Sequence, residues 1–344
     1  MQNETFNKQI DRRSFLTRSA AITGGAALTT SFAIRPSKAA LKKVNFITPW
    51  SYLIGFAPVL NAHSGGHFKR HGLEVTILGG KGSGMAVRQV LTDRVQFARA
   101  ASLAMVKAVG NEGAELVAIG TILQQSPFYV VSSKKDPINS AKDMVGKVIG
   151  VVARGSGSEN TLDMILASAG IKPDMVRREV AGNGVGGFGL IEQGRIAAYV
   201  PSLGTVIRLR AASENVVAWN TDKFITMPGQ IYLTSKQHIK RDPESCVQFL
   251  RAIKDSTTEL KSGSPAKLRD RMAKDFDILG IKDLDFTLKA MLAEMELWTA
   301  SSSPNILQND PKRWEAMRAG MAGAGLTKLV DAKVLYTNKF YDKI

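Results

Sequence analysis

Short β-forming runs alternate with helical segments from residue 43 to residue 223, and no other feature limits the fold so tightly. Strands that return through helices bury their apolar faces in an α/β layer architecture. Residues 44–47, 73–78, 95–98, 116–122, 129–133, 147–152, 175–180, 197–199 and 216–219 read as strands. Residues 56–70, 85–92, 103–109, 141–144, 159–169, 188–193 and 206–212 read as helices, the first interrupted at Gly65-Gly66. A returning strand at 231–234 precedes four helical stretches, 243–260, 265–276, 286–298 and 311–321. Pro243 and Pro311 suit a first helical turn, where the missing N–H goes unused, and Asp242 and Asp310 before them suit the cap. At 344 residues the chain exceeds a usual domain, so two lobes are expected. With no repeat, heptad seam or low-complexity linker, short connections must join them.

The apolar fraction of 44% with 22% charged residues supplies a sizeable core and excludes a disordered chain. Of the formal net charge of +16, the first 40 residues hold six bases (Lys8, Arg12, Arg13, Arg18, Arg35, Lys38) and two acids (Glu4, Asp11). The remainder therefore stays strongly basic. Its bases are scattered, without an arginine-rich run or basic and aromatic interleaving, which argues against nucleic acid and for an anionic small molecule or plain solubility.

Asp11-Arg12-Arg13-Ser14-Phe15-Leu16-Thr17 resembles the twin-arginine export motif. A mildly apolar segment, 20–34, and a small-residue cleavage site at Ser37-Lys38-Ala39 follow in the order of a removable signal. Gly24, Gly25 and several threonines leave that segment too short and polar for a membrane span. The expectation is a signal peptide over 1–39, handled by the twin-arginine translocase, and a mature protein free in the periplasm. The single cysteine, Cys246, permits no internal disulfide, and none near the cleavage site could take a lipid.

In open α/β sheets ligands bind beyond the carboxyl ends of the strands. That rule selects the loops carrying Trp50, Ser51 and Tyr52; Gly82 and Ser83; Ala101 and Ser102; Gln124; Arg154, Ser156, Gly157 and Ser158; Asn183; and Pro201 and Ser202. These loops are rich in glycine, hydroxyl and amide groups and poor in carboxylates. Glycine admits close backbone approach, and free N–H groups and hydroxyls at helix N-termini donate to an anion. Any one such Ser or Gly also serves as an ordinary helix cap. Arg154 and Lys81, with Arg99 if its strand face points inward, are the candidate charge partners, and Trp50 and Tyr52 the candidate apolar cover. Glu159, at the start of a helix, keeps an amine-bearing ligand open.

Competing motifs are weak. Gly182-Asn183-Gly184-Val185-Gly186-Gly187 matches G-x-G-x-x-G, yet the region where a ribose-binding acid belongs offers Pro201 and Ser202. His63, His67 and His71 are spaced for one helix face and a metal, but Gly65-Gly66 interrupts that helix and no nearby acid completes the set. His238 and Cys246 have no partners of triad type, so neither a catalytic residue nor a cofactor is expected. An enzyme is the leading alternative.

Three passages carry a family resemblance. Ala62, Gly66, Phe68, Gly72, Leu73 and Val75 fit A-x-x-x-G-x-F-x-x-x-G-L-x-V. Residues 140–151, with Ser140, Asp143, Gly146, Lys147, Gly150 and Val151, fit s-x-x-D-L-x-G-K-x-x-g-v, and residues 191–198 fit al-x-x-G-x-v-D-A except that Ala197 replaces the aspartate. In this order they resemble the periplasmic ABC-transporter substrate-binding proteins for sulfonates, nitrate, taurine and thiamine-pyrimidine precursors. The resemblance implies a type II periplasmic binding protein fold, two α/β lobes with mixed sheets around a ligand cleft. Lobe 1 would comprise residues 40–126 and 227–344, and lobe 2 residues 127–226. It also implies a small-molecule ligand, anionic by the loops above or else a pyrimidine or amine, and a partner permease in the inner membrane. Closure would turn on Ser126-Pro127 and Thr226-Met227-Pro228-Gly229.

Overall fold

In the computed structural model, which describes residues 40–213, 215–224 and 226–344, the alternation becomes two five-stranded mixed sheets. The expected signal, residues 1–39, lies outside the described residues. The chain begins β1 (Lys42–Ile47), α1 (Ala57–Ser64), α2 (His67–Arg70), β2 (Leu73–Leu78), α3 (Ser83–Leu91), β3 (Phe97–Ala101), α4 (Ser102–Glu112) and β4 (Leu116–Leu123). It then builds β5 (Tyr129–Ser133), β6 (Val148–Val151), α5 (Gly157–Ser168), β7 (Arg177–Val180), α6 (Gly186–Glu192), β8 (Ala198–Tyr199), α7 (Leu203–Ala212) and β9 (Val216–Asn220). A last strand, β10 (Gln230–Ser235), precedes α8 (Lys236–Arg241), α9 (Pro243–Ser262), α10 (Pro265–Asp275), α11 (Leu284–Glu296) and α12 (Pro311–Gly323).

Strand β10 returns to the first sheet, giving the order β2-β1-β3-β10-β4 with β1 parallel to β2 and β3, and β10 antiparallel to β3 and β4. The second sheet runs β7-β6-β8-β5-β9, with β6 parallel to β7 and β8, and β5 antiparallel to β8 and β9. This is the expected α/β periplasmic-binding-protein architecture. Strand burial explains the sequence patterns. β2 alternates buried and exposed residues because one face meets the core, whereas all of β4 is buried, so it reads as one apolar run. Helix α9 lays Phe249 against Phe46, Phe68 and Phe97, with ring centroids 4.6–5.7 Å apart.

The helix expected over 56–70 breaks where the sequence placed it: Gly66 takes φ 69°, a left-handed geometry that glycine adopts freely. Asp242 and Asp310 each accept from a first-turn backbone N–H, as the Asp-Pro pairs suggest. Helix α8 has no counterpart in the sequence reading. Ser235 caps it by accepting from the His238 N–H at 3.0 Å.

Two short crossings connect the sheets and lie side by side. The Ser126 N–H donates to Asp222 at 3.1 Å, the Thr221 hydroxyl donates to Ser126 Oγ at 2.7 Å, and the Gly229 N–H donates to Leu123 O at 2.8 Å. Arg313 from α12 braces the returning crossing, donating to Asp222 at 3.2 Å and to Met227 O at 2.9 Å. Among the described residues no helix is long and apolar enough to cross a membrane.

The histidine row dissolves into separate structural roles. His63 bonds Val75 O, and His71 bonds Asp255. Arg70 donates to His67 Nδ1, which leaves Nε2–H to donate to Glu259 at 2.7 Å, and burial lowers the His67 pKa. Hydrogen bonding from Arg271, with help from His67 and Asn61, holds Glu259 down at about 2. Among the described residues no three His, Cys, Asp or Glu side chains group as a metal site.

Candidate functional site

A cavity opens between the sheets, lined by the segments that follow β1, β2, β6, β7 and β8. Counted out to its open mouth it holds about 940 Å³ of empty space. Of the residues singled out in the sequence, Trp50, Gly82, Ser83, Ser156, Gly157, Ser158, Asn183 and Ser202 line it. The two sides meet directly at its edge, where the Gly84 N–H donates to Gly155 O at 3.2 Å. Gly157 is needed at this junction, since a Cβ there would lie 2.6 Å from the Ala101 methyl.

Four serine hydroxyls share one arrangement. Ser83 Oγ accepts from the Ala101 N–H at 3.0 Å, Ser158 Oγ from the Val152 N–H at 3.1 Å, and Ser156 Oγ from the Glu159 N–H at 3.3 Å. Ser202 Oγ accepts from Asn183 Nδ2 at 2.9 Å. A hydroxyl has one proton and two acceptor sites. Each of these four accepts a hydrogen bond and gives its proton to no described residue, so four O–H groups with donor capacity to spare border one cavity. Ser83, Ser156 and Ser202 also stand at the starts of α3, α5 and α7, where helix dipoles favour negative charge.

Other sequence candidates sit elsewhere. Tyr52 donates to Ile77 O at 2.9 Å and packs edge-on to Phe276, while Ser51 is exposed. Ala101 gives its N–H to Ser83, and the Ser102 hydroxyl donates to Pro228 O. Gln124 is fully buried and donates to Gln308 O at 2.9 Å, and Pro201 O accepts from the Tyr129 N–H at 3.1 Å in strand-like pairing. Arg154 reaches outward to Glu159 at 2.9 Å and Arg178 O at 2.7 Å, and Lys81 is exposed. Of the G-x-G-x-x-G glycines, Gly182 takes φ 73° and a Cβ on Gly187 would lie 2.5 Å from the Tyr199 ring, whereas Gly184 has open space around it and lines the cavity.

Arg99, a conditional candidate in the sequence, and residues absent from the sequence reading complete the first-sheet side. Arg99 does face inward, fully buried, with Nε donating to Gln230 at 2.5 Å and Nη1 to Gly55 O at 2.7 Å, its guanidinium over the Phe56 ring. Burial lowers its pKa, opposed by attraction to Tyr232 and Glu294. Phe286, Ala290 and Glu294 of α11 line the cavity, four residues apart on one helical face. Burial raises the Glu294 pKa, and Arg99 offsets part of that effect. A lone acid in an otherwise apolar stripe was the available signal.

The α/β arrangement is shared widely. A protein from Bordetella bronchiseptica RB50 superposes with a TM-score of 0.71 at 20% identity, covering 88% of this chain and 96% of its own. The periplasmic aliphatic sulphonate binding protein of Escherichia coli gives 0.67 at 14% identity, covering 88% of this chain and all of its own. In sequence, the chain is 24% identical over 234 residues to 4-amino-5-hydroxymethyl-2-methylpyrimidine phosphate synthase of Schizosaccharomyces pombe. That match covers 63% of this chain and 65% of the synthase. The family model described as NMT1/THI5 like matches residues 54–263, well over half of the chain and across both sheets. By that match the chain belongs to the NMT1/THI5-like family.

Proposed function

We propose that the protein is the solute-binding component of an ABC importer, which captures a small organic or inorganic anion by closing two lobes around it. The lobes are residues 40–126 with 227–344, and residues 127–226, hinged at the paired crossings. The observation that carries this reading is the set of four serine hydroxyls whose protons remain free to donate into one cavity. An oxygen-rich anionic head satisfies such donors and the adjoining helix N-termini. Trp50, Phe56, Phe128 and Phe286 offer an apolar wall for the body of the ligand. Contacts from both sides favour the closed state, so binding itself drives closure. Export by the twin-arginine translocase, removal of residues 1–39, residence in the periplasm and delivery to an inner-membrane permease complete the proposal.

A thermal-shift screen of the purified protein against alkane- and arylsulfonates, nitrate, aromatic carboxylates and aminopyrimidines tests it. Stabilisation by an anionic class, lost in Ser156→Ala and Ser83→Ala, is expected. Stabilisation only by uncharged pyrimidines or by polycations contradicts it. The likeness to the yeast synthase motivates a second reading, turnover of a bound pyrimidine precursor. Chromatographic detection of a product formed from a stabilising ligand would favour it.

A further inference from the structure

One arginine spans the mouth of the cavity. Arg208 lies on α7, which joins two strands of the second sheet. Its guanidinium carbon nevertheless sits 4.0 Å from the centroid of the Phe286 ring on α11, and its Nη2 donates to Leu279 O at 3.3 Å, both in the helical stretch that follows the first sheet. Arg208, Leu279 and Val185 line the cavity yet stay accessible, Arg208 half-buried, Leu279 50% exposed and Val185 47%, so they mark where it opens to solvent. Ser83, Ser156 and Ser158 are buried and lie deeper. The far side is shaped to receive the guanidinium. Leu279 is anchored by its N–H to Tyr52 O at 3.0 Å, and Gly280, at φ 80°, leaves open a space in which a Cβ would lie 1.5 Å from Arg208 Nη2. The hold is weak all the same. A ring face and one carbonyl retain Arg208, and no carboxylate among the described residues pairs with it. A cation over a partly exposed ring is worth about fivefold in an equilibrium, little enough to break as a ligand passes.

We propose that Arg208 is the gate of the cavity and sets the length of ligand that it accepts. The proposal rests on the anion-binding reading of the same cavity. With the anionic head on the buried serines, the body of the ligand runs past Phe286 toward the mouth, where the guanidinium closes over the end of a short ligand. A longer body must push Arg208 off the Phe286 ring and forfeit that contact, so it binds less tightly than its apolar surface would otherwise allow. The serines read the head, and Arg208 reads the length.

Calorimetric titration of the full chain with pairs of constant head and different length tests it: butane-1-sulfonate against octane-1-sulfonate, and benzenesulfonate against biphenyl-4-sulfonate. In at least one pair, Arg208→Ala should raise the affinity of the long member relative to the short by about tenfold, with the short member within about fivefold of its native affinity. Stopped-flow association and dissociation rates for the short member should both rise several-fold, since removing a gate eases entry and exit alike. Arg208→Lys keeps the charge but loses the plane that lies on the ring, so it should raise the same ratio. A charge partner of the sulfonate would instead lose affinity for both members equally in Arg208→Ala and recover it in Arg208→Lys. A purely structural arginine would lower the thermal midpoint of the ligand-free protein and leave the ratio alone. Either pattern, or a ratio unchanged in both variants, overturns the gate while the anion-binding reading stands. Binding of no sulfonate by the native protein or the variants also overturns it, and the response to nitrate and aromatic carboxylates in the thermal-shift screen then decides whether the anion-binding reading falls with it.

Discussion

The two walls of the cavity are built on different principles. The wall from the second sheet is mostly local: Ser156, Gly157, Ser158, Asn183 and Ser202 stand at strand-to-helix turns, Ser156 and Ser158 are fixed by backbone N–H groups within six residues, and Asn183 and Ser202 pair with each other across neighbouring loops. The wall from the first sheet is assembled from afar. Gly55, Arg99, Gln230 and Glu294 come from four separate stretches, and what joins them is burial and long-range contact. The second-sheet wall offers neutral donors; the first-sheet wall sets the Ser83 hydroxyl beside buried opposite charges in an apolar setting. Such a pair of walls discriminates a ligand with two unlike ends better than either wall alone.

The strongest way to break this comparison is to stop the walls from meeting. Gly157→Ala places a methyl against the immobile Ala101 methyl and the Phe128 ring, 2.6 and 3.1 Å away. Affinity for the anionic ligand should fall by about a hundredfold, and small-angle scattering should show a wider particle with ligand present. Native affinity would mean that close approach is unimportant. Removing donors from the local wall comes next. Ser156→Ala and Ser158→Ala should each cost about tenfold in calorimetric affinity for an anion, since each loses a hydrogen bond to a charged group.

A weaker effect is expected where the halves touch outside the cavity. Lys107 of α4 donates to Asn160 and Asp163 of α5, both at 2.9 Å. Because the pair is partly solvated, Lys107→Ala should weaken binding only about threefold, with little change in thermal midpoint. The smallest effect concerns acid in the distant wall. Burial raises the Glu294 pKa above its ordinary 4.5, so the ionised form penalises the fold above that pH and the penalty fades as pH falls and the carboxyl protonates. Glu294→Gln should therefore exceed the native protein in stability near neutral pH, with the gap narrowing in acid melts. A gap that widens in acid would sharpen the comparison differently, making Glu294 a stabilising partner of Arg99.

This contrast also explains what could be read from the sequence. The strand and helix alternation was legible because each element carries its own period and caps, down to the break at Gly66 and the Asp-Pro starts of α9 and α12. The local wall was legible for the same reason, since glycine and serine before a helix is a short-range signal. Tyr52, Gln124 and Ser102 occupy equivalent turns but spend their polar groups on Ile77, Gln308 and Pro228, and only tertiary packing decides that. Glu294 was hidden because its meaning depends on Gly55 and Arg99, far away in the chain. Helix α8 escaped because Lys236–Arg241 is almost wholly polar and has no apolar stripe to announce it.

The most direct test is a crystal structure of the protein grown with 4-bromobenzenesulfonate, whose bromine can be located by anomalous scattering. The sulfonate oxygens are expected within about 3.2 Å of the Ser156 and Ser158 hydroxyls, with the ring against Phe286 on the other wall. A ligand bound on an outer surface, or touching one wall while the four serines donate to protein atoms, would contradict a two-walled anion site.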